Sequence, residues 1–248
     1  EVVTRDLPIR GLPASLEGKT LVQLSDLHMG PRVDDSYIAD TFATVAALRP
    51  DIVVMTGDWI SYRRRTQLES FDRLIASFPH GQLATIGILG NHDYGTNWRM
   101  PAVAEAITTR AEAHGVRMLR NEAAVVEGLT IIGLEDLWGP YFAPPPALLA
   151  ASDEPRLVLC HNPDAADHPI WSGYQGWILA GHTHGGQCKP PFLPPPILPV
   201  ENPRYTSGEI AVRGERRLYI SRGVGYLIRA RFNARPEVTE FKLTRAPV

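Results

Sequence analysis

Cysteine is scarce: the 248 residues contain two, Cys160 and Cys188. Two thiols cannot build a disulfide-stapled scaffold, and they leave the redox compartment open. Long apolar runs are also missing, and no uninterrupted stretch reaches the roughly 18 residues of a membrane span. Charge of one sign does not dominate either. The net charge of −2 exerts no overall pull on nucleic acid. No long basic stripe with interleaved aromatics is present, so no nucleic-acid partner is expected. Repeats, low-complexity tracts and a clear linker are absent, so residues 1–248 are read as one domain, with no obligate protein partner inferred. The chain opens on Glu1 rather than methionine, so an N-terminal signal or anchor would lie outside it.

What is present is an ordinary 44% of hydrophobic residues, enough for a sizeable core. Arginines concentrate in the run Arg63-Arg64-Arg65 and again at Arg213, Arg216, Arg217, Arg222, Arg229, Arg231 and Arg235. For most of these a solvated surface is the simplest reading.

Residues 20–24 read as a buried strand. Ile38, Phe42, Val45 and Leu48 recur at helical spacing over 35–48, and Pro50 stops that helix. Residues 52–55 form a second β-branched run and 84–89 a third, with helical spacing over 68–78 between them. Asn97 is placed to cap a helix reaching about His114. Alternating strand and helix imply parallel pairing with helical crossovers. The second half holds short strands at 123–127, 129–134, 156–160, 176–180, 217–221 and 237–243. The expected architecture is α/β, with two mixed sheets packed face to face and helices outside. The tract 189–200, KPPFLPPPILPV, is apolar yet too rich in proline for helix or central strand.

Five segments carry metal-type side chains, each just after a predicted buried strand. They are Asp26-Leu27-His28, Gly57-Asp58, Gly90-Asn91-His92-Asp93, His161 and Gly181-His182-Thr183-His184. In α/β sheets ligands bind beyond the carboxyl ends of strands, where such loops converge. Asp26 and His28 are two residues apart, as are His182 and His184. In extended backbone each pair would face one side. Glycines at 57, 90 and 181 are expected to let the chain turn sharply before a ligand. A lone Asp-x-His or a lone histidine is usually an ordinary polar residue, but five such fragments in order on strand ends are not readily produced by chance. Oxygen and imidazole donors without thiolates suit Mn²⁺, Fe or Zn²⁺ rather than a cysteine-bound structural zinc.

This ordered set resembles the calcineurin-like metallophosphoesterases, whose Asp-x-His, Gly-Asp, Gly-Asn-His-Asp/Glu, His and Gly-His-x-His pattern is complete over 26–184. The resemblance implies that Asp26, His28, Asp58 and His184 hold one metal, with Asp58 bridging to a second completed by Asn91, His161 and His182. It makes His92 the catalytic histidine, acting on the leaving oxygen, with Asp93 orienting it. Two metal ions are implied, Mn²⁺ first, with Fe or Zn²⁺ compatible. Such a pair clamps a phosphoryl group and lowers a shared water's pKa from about 15.7 toward about 7, supplying hydroxide for in-line attack.

Leu89 stands where the protein serine/threonine phosphatase branch has a phosphate-gripping arginine, which argues against that activity. Gly185-Gly186-Gln187, Tyr219-Ile220-Ser221-Arg222-Gly223 and Arg231-Phe232-Asn233 resemble a bacterial subgroup of membrane-associated phosphodiesterases. Some of its members hydrolyse the pyrophosphate of UDP-diacylglucosamine. The resemblance implies a phosphodiesterase or pyrophosphatase on a lipid-linked or small organic phosphate, in a bacterial, membrane-associated or exported setting. Arg222, Arg231 and Gln187 are the expected substrate contacts. Tract 189–200 would form an apolar rim that meets an acyl chain or bilayer, or else packs on the domain's own core. A soluble cyclic-nucleotide phosphodiesterase is the competing enzyme. An inactive metal-binding scaffold is the competing non-enzyme, disfavoured because His92 and every ligand position are intact.

Overall fold

The computed structural model describes residues 1–61 and 66–246, and the run Arg63-Arg64-Arg65 lies outside the described residues. In chain order the regular elements are β1 (Val2–Ile9), β2 (Thr20–Leu24), α1 (Asp35–Leu48), β3 (Ile52–Thr56), α2 (Thr66–Ile75), β4 (Ala84–Ile88) and α3 (Pro101–Ala113). There follow β5 (Arg117–Met118), β6 (Glu122–Val126), β7 (Leu129–Gly133), β8 (Arg156–Leu159), β9 (Gly176–Ala180), β10 (Gly208–Ala211), β11 (Arg216–Ile220) and β12 (Val238–Arg245).

Two six-stranded mixed sheets result, ordered β1-β12-β2-β3-β4-β5 and β10-β11-β9-β8-β7-β6. Strands β2 to β5 pair in parallel, and so do β7, β8, β9 and β11. Each sheet therefore points several carboxyl ends the same way. Side chains alternate across each strand, so Leu21, Ile52, Val54 and Ile86 meet Ile131, Leu157, Leu159 and Leu179 between the sheets. The opposite face of the first sheet, Val22, Leu24, Val53 and Met55, is covered by Ile38, Phe42, Phe71 and Ile107 of the three α-helices. Each such fully buried aliphatic or aromatic side chain contributes about 1.5–3 kcal/mol.

The sandwich agrees with the sequence reading, but among the described residues the α-helices lie against one sheet only. The outer face of the second sheet is covered by short turns carrying Leu149, Ala165, Ala166, Tyr174 and Tyr205. Helix α3 begins at Pro101 rather than Asn97, because Asn97 and Trp98 both adopt left-handed backbone (φ 59° and 57°). Strand β1 escapes the sequence reading: its middle, Thr4-Arg5-Asp6, is polar, and among the described residues it pairs with β12 alone, over 200 residues away. Pro8 is tolerated there because β1 is an edge strand.

Candidate metal centre

Strands β2, β3 and β4 end at Leu24, Thr56 and Ile88, and β8 and β9 at Leu159 and Ala180. The loops leaving these five ends converge on one rim of the sandwich. Asp26 N–H donates to Gly57 O at 3.0 Å and His28 N–H to Asp58 O at 3.0 Å, which locks the first two loops together. His182 N–H donates to both Asp26 carboxylate oxygens at 3.1 Å, joining the first sheet to the second.

Side-chain donors gather into two buried triads, Asp26–His28–His184 and Asp58–His161–His182, with ligand atoms in each within 4.8 Å of one another. Asp58 Oδ2 lies 3.6 Å from His28 Nε2 and 3.2 Å from His161 Nε2, so it stands between the triads. His28 Nε2 and His184 Nε2 are 2.9 Å apart. His161 Nδ1 donates to Thr56 O at 2.8 Å, and His182 Nε2 to Pro199 O at 2.8 Å. A carbonyl only accepts, so these contacts fix the protons and turn His161 Nε2 and His182 Nδ1 toward each other, 3.2 Å apart. Asn91 is buried, and neither of its amide atoms has a partner among the described residues. Convergent lone pairs, carboxylates and an orphaned amide are costly alone and fit metal ions bound among them. The N/O donor set, with no thiolate, suits Mn²⁺, Fe or Zn²⁺.

For three of the four histidines the electrostatics agree with that use. Burial pulls His182 down to about 3 and His184 to about 4, so both rings are neutral donors near pH 7. Burial also holds His28 well below its ordinary value. His161 goes the other way: burial works to lower it, but the adjacent Asp58 carboxylate outweighs that and holds it well above the imidazole range. Asp58 is held well below the carboxylate range, because His161 and its neighbours overcome the opposing effect of burial.

Two local expectations are corrected. The paired ligands are not extended, since Asp26, His28, His182 and His184 all have left-handed backbone (φ 54°, 50°, 72° and 51°). Held there, they turn inward while the loop stays tight. Of the three glycines, Gly57 does need its positive φ of 88°. Gly90 is extended, and glycine is required because a Cβ would stand 2.3 Å from Asp58 Oδ1. At Gly181 a Cβ would come within 1.9 Å of Ser25 Oγ.

His92 is half-buried at the mouth of the centre, its ring 5.1 Å from that of His28, and its backbone N–H donates to Asp58 Oδ1 at 2.9 Å. Among the described residues no hydrogen bond joins the Asp93 carboxylate to the His92 ring. The Asp93 carboxylate accepts the N–H groups of Asp58 (3.0 Å), Ile60 (3.1 Å) and Gly90 (2.8 Å), tying two ligand loops together. Burial raises Asp93 to about 8, with Asp58 adding to the effect.

Each of the expected substrate contacts holds protein partners. Arg222 pairs with Glu237 and, at 2.8 Å, with Glu1. Arg231 donates to Arg222 O at 2.7 Å and to Gly225 O, and its Nη2 lies 3.0 Å from His184 Nδ1, so it braces His184 of the first triad from behind. Gln187 accepts from Leu227 N at 3.2 Å and joins the 184–187 turn to the 227–232 loop. Asp136, just past β7, is missed by the sequence reading. It is fully buried and electrostatically coupled to His161 and Asp58. The signal was available, since it too is an acid following a buried parallel strand.

The model of the family described as calcineurin-like phosphoesterase matches residues 19–186, and the chain belongs to that family. It is a metal-dependent phosphoester hydrolase with a dinuclear centre. The chain is 36% identical to phosphodiesterase YaeI of Escherichia coli, over 89% of this chain and 80% of that one. It is 28% identical to the UDP-2,3-diacylglucosamine pyrophosphatase LpxG of Chlamydia trachomatis, covering 91% and 83%. A Danio rerio transmembrane protein with a metallophosphoesterase domain is 31% identical over 99% of this chain and 58% of its own length. The crystal structure of a Danio rerio dimetal phosphatase shares the fold, with a TM-score of 0.51 and 12% identity, covering 84% of this chain and 88% of that one.

Proposed function

We propose that this chain is a phosphodiesterase or pyrophosphatase acting on a lipid-linked or small organic phosphate. The observation that carries the reading is the pair of triads joined through Asp58, with His92 at the mouth. Asp26, His28 and His184 would hold one metal ion and His161, His182 and Asn91 a second, with Asp58 shared. When bound, the two ions supply Lewis-acid stabilisation of phosphoryl charge and activation of water.

The chain's own groups do the rest. Asp93 holds the 57–60 and 90–93 loops in register, and Arg231 fixes the backbone and ring of His184. His92 acts as the proton donor to the leaving oxygen. Leu89 leaves the position before Gly90 without a cation for a monoester dianion, which supports a diester or pyrophosphate over a phosphomonoester.

The lipid-linked choice draws on the rim beside the centre. Phe192 is fully exposed, and Leu193, Ile197, Ile228 and Phe232 are 62%, 71%, 60% and 55% exposed. They sit on two loops joined by Lys189 N–H to Phe232 O (2.8 Å), and Pro199 of the first loop touches His182. A UDP-2,3-diacylglucosamine pyrophosphatase among the relatives supports the same choice. Mn²⁺ is the proposed metal, and peripheral contact with a membrane the proposed setting.

The test is turnover of bis(p-nitrophenyl) phosphate against p-nitrophenyl phosphate after chelation, with Mn²⁺ restored. The diester should be preferred, activity should return only with metal, and His92→Ala should lower kcat by about 10²–10⁴-fold. Equal turnover of the monoester, or an unaffected His92→Ala variant, would contradict the proposal.

A further inference from the structure

Trp98 and Trp138 differ from the other tryptophans. The indole N–H groups of Trp59, Trp171 and Trp177 donate to Ile88 O (2.9 Å), Ala165 O (2.9 Å) and Pro8 O (2.8 Å). Those rings are anchored in the fold. Trp98 and Trp138 are half-buried, and among the described residues neither indole N–H has an acceptor. They stack on each other with centroids 4.7 Å apart and planes 23° from parallel. The pair also spans the mouth of the centre. Trp98 stands edge-on to His92 at 6.4 Å, and Trp138 edge-on to His182 at 4.5 Å. Trp98 is held there by left-handed backbone at itself and at Asn97, a conformation that costs non-glycine residues free energy. Packing alone does not call for two indoles at the rim with free donors, since Trp59 satisfies its own donor in the core.

We propose that Trp98 and Trp138 form an aromatic wall that packs against a ring carried on the scissile phosphoryl group, a nucleobase or a sugar. The proposal rests on the phosphoesterase reading above and narrows its substrate class. An indole face offers a flat apolar surface to a ring, and the free N–H groups can donate to ring oxygens or to a non-bridging phosphoryl oxygen. Acyclic phosphates would reach the metals but leave the wall unused.

Matched non-hydrolysable probes test this on the Mn²⁺-loaded full chain. Phenylphosphonate and methylphosphonate differ only in the ring, and their binding is read by calorimetry and by indole fluorescence. The wild type should bind phenylphosphonate about tenfold more tightly, as a stacked ring provides, with quenching of fluorescence. Trp98→Ala and Trp138→Ala should each bring the ratio close to one without altering methylphosphonate affinity, and Trp98→Phe should keep most of the preference. A ratio near one in the wild type, or a preference surviving both alanine variants, would overturn the wall. Metal-independent or absent methylphosphonate binding would instead overturn the dinuclear reading, and this inference with it. UMP and glucose 1-phosphate then separate the sources. A Trp-dependent preference for UMP assigns the ring to a nucleobase, and one for glucose 1-phosphate assigns it to a sugar.

Discussion

Asp136 shows what the centre demands of a single residue. Its Oδ1 accepts the backbone N–H of Trp138 at 2.8 Å, while Oδ2 is buried without a partner among the described residues. Burial raises its carboxyl to about 6, with Asp58 adding to the rise and His161 opposing it. An unfolded aspartate titrates near 3.9. The native state therefore binds the extra proton between about 4 and 6, and stability associated with Asp136 is present at low pH and lost as pH rises through 6. In metal-free protein, Asp136→Asn should gain stability relative to wild type as pH rises from 4.5 to 7, levelling off above about 6.5. The difference should be up to about 3 kcal/mol. Urea unfolding of both proteins in chelator at three pH values measures it, and a pH-independent difference would exclude a raised Asp136. With metal bound, the cations favour the ionised carboxylate and the difference should shrink.

Among elements, the two rim loops separate most sharply from the rest. The strands bury nearly every apolar side chain they carry, yet Phe192, Leu193 and Ile197 of 190–199 and Ile228 and Phe232 of 227–232 stand in solvent. Proline explains part of this, because Pro190, Pro191, Pro194, Pro195 and Pro196 remove the N–H donors a strand ladder needs. Pro195 fills the space beside Gly186, where a Cβ would stand 2.3 Å from its ring, so the tip is pinned to the metal edge at its base. Lys189 and Arg229 flank the apolar tips, with Arg229 3.2 Å from Asp34, and under the proposed membrane contact both would face anionic headgroups. Phe192→Ser with Leu193→Ser should cut binding to phosphatidylglycerol vesicles at least several-fold while leaving bis(p-nitrophenyl) phosphate turnover within twofold. Undiminished vesicle sedimentation would assign the tips no role at a membrane.

For the whole molecule, the centre is a clamp between sheets. Asp26, His28, Asp58 and Asn91 leave the first sheet, and His161, His182 and His184 the second, so each triad spans both. Bound metal thus favours the folded sandwich over the open chain, by about 2.7 kcal/mol for each site held at a hundred times its Kd. For a chain of this size that predicts a fall in Tm of roughly 10 °C or more on chelation, recovered with Mn²⁺. Calorimetry with and without chelator checks it, and an unmoved transition would argue against ligands drawn from both sheets.

Much of this was legible along the chain. Strands β2, β3, β4, β8 and β9 announced themselves because buried parallel strands are short apolar runs, and the polar residues placed after them stood out by contrast. Identity and order of Asp26, His28, Asp58, Asn91, His161, His182 and His184 followed from that local signal. What the tertiary structure decided depends on contacts between distant segments. The β1–β12 pairing joins the chain's two ends, the Asp93 carboxylate gathers three backbone N–H groups, and Arg222 and Arg231 each hold protein partners. The meeting of Trp98 with Trp138 is of the same kind. Hydrophobic periodicity is a local property and survives in sequence, whereas the partner of an individual polar or aromatic side chain is set by which loops the two sheets bring to the same rim.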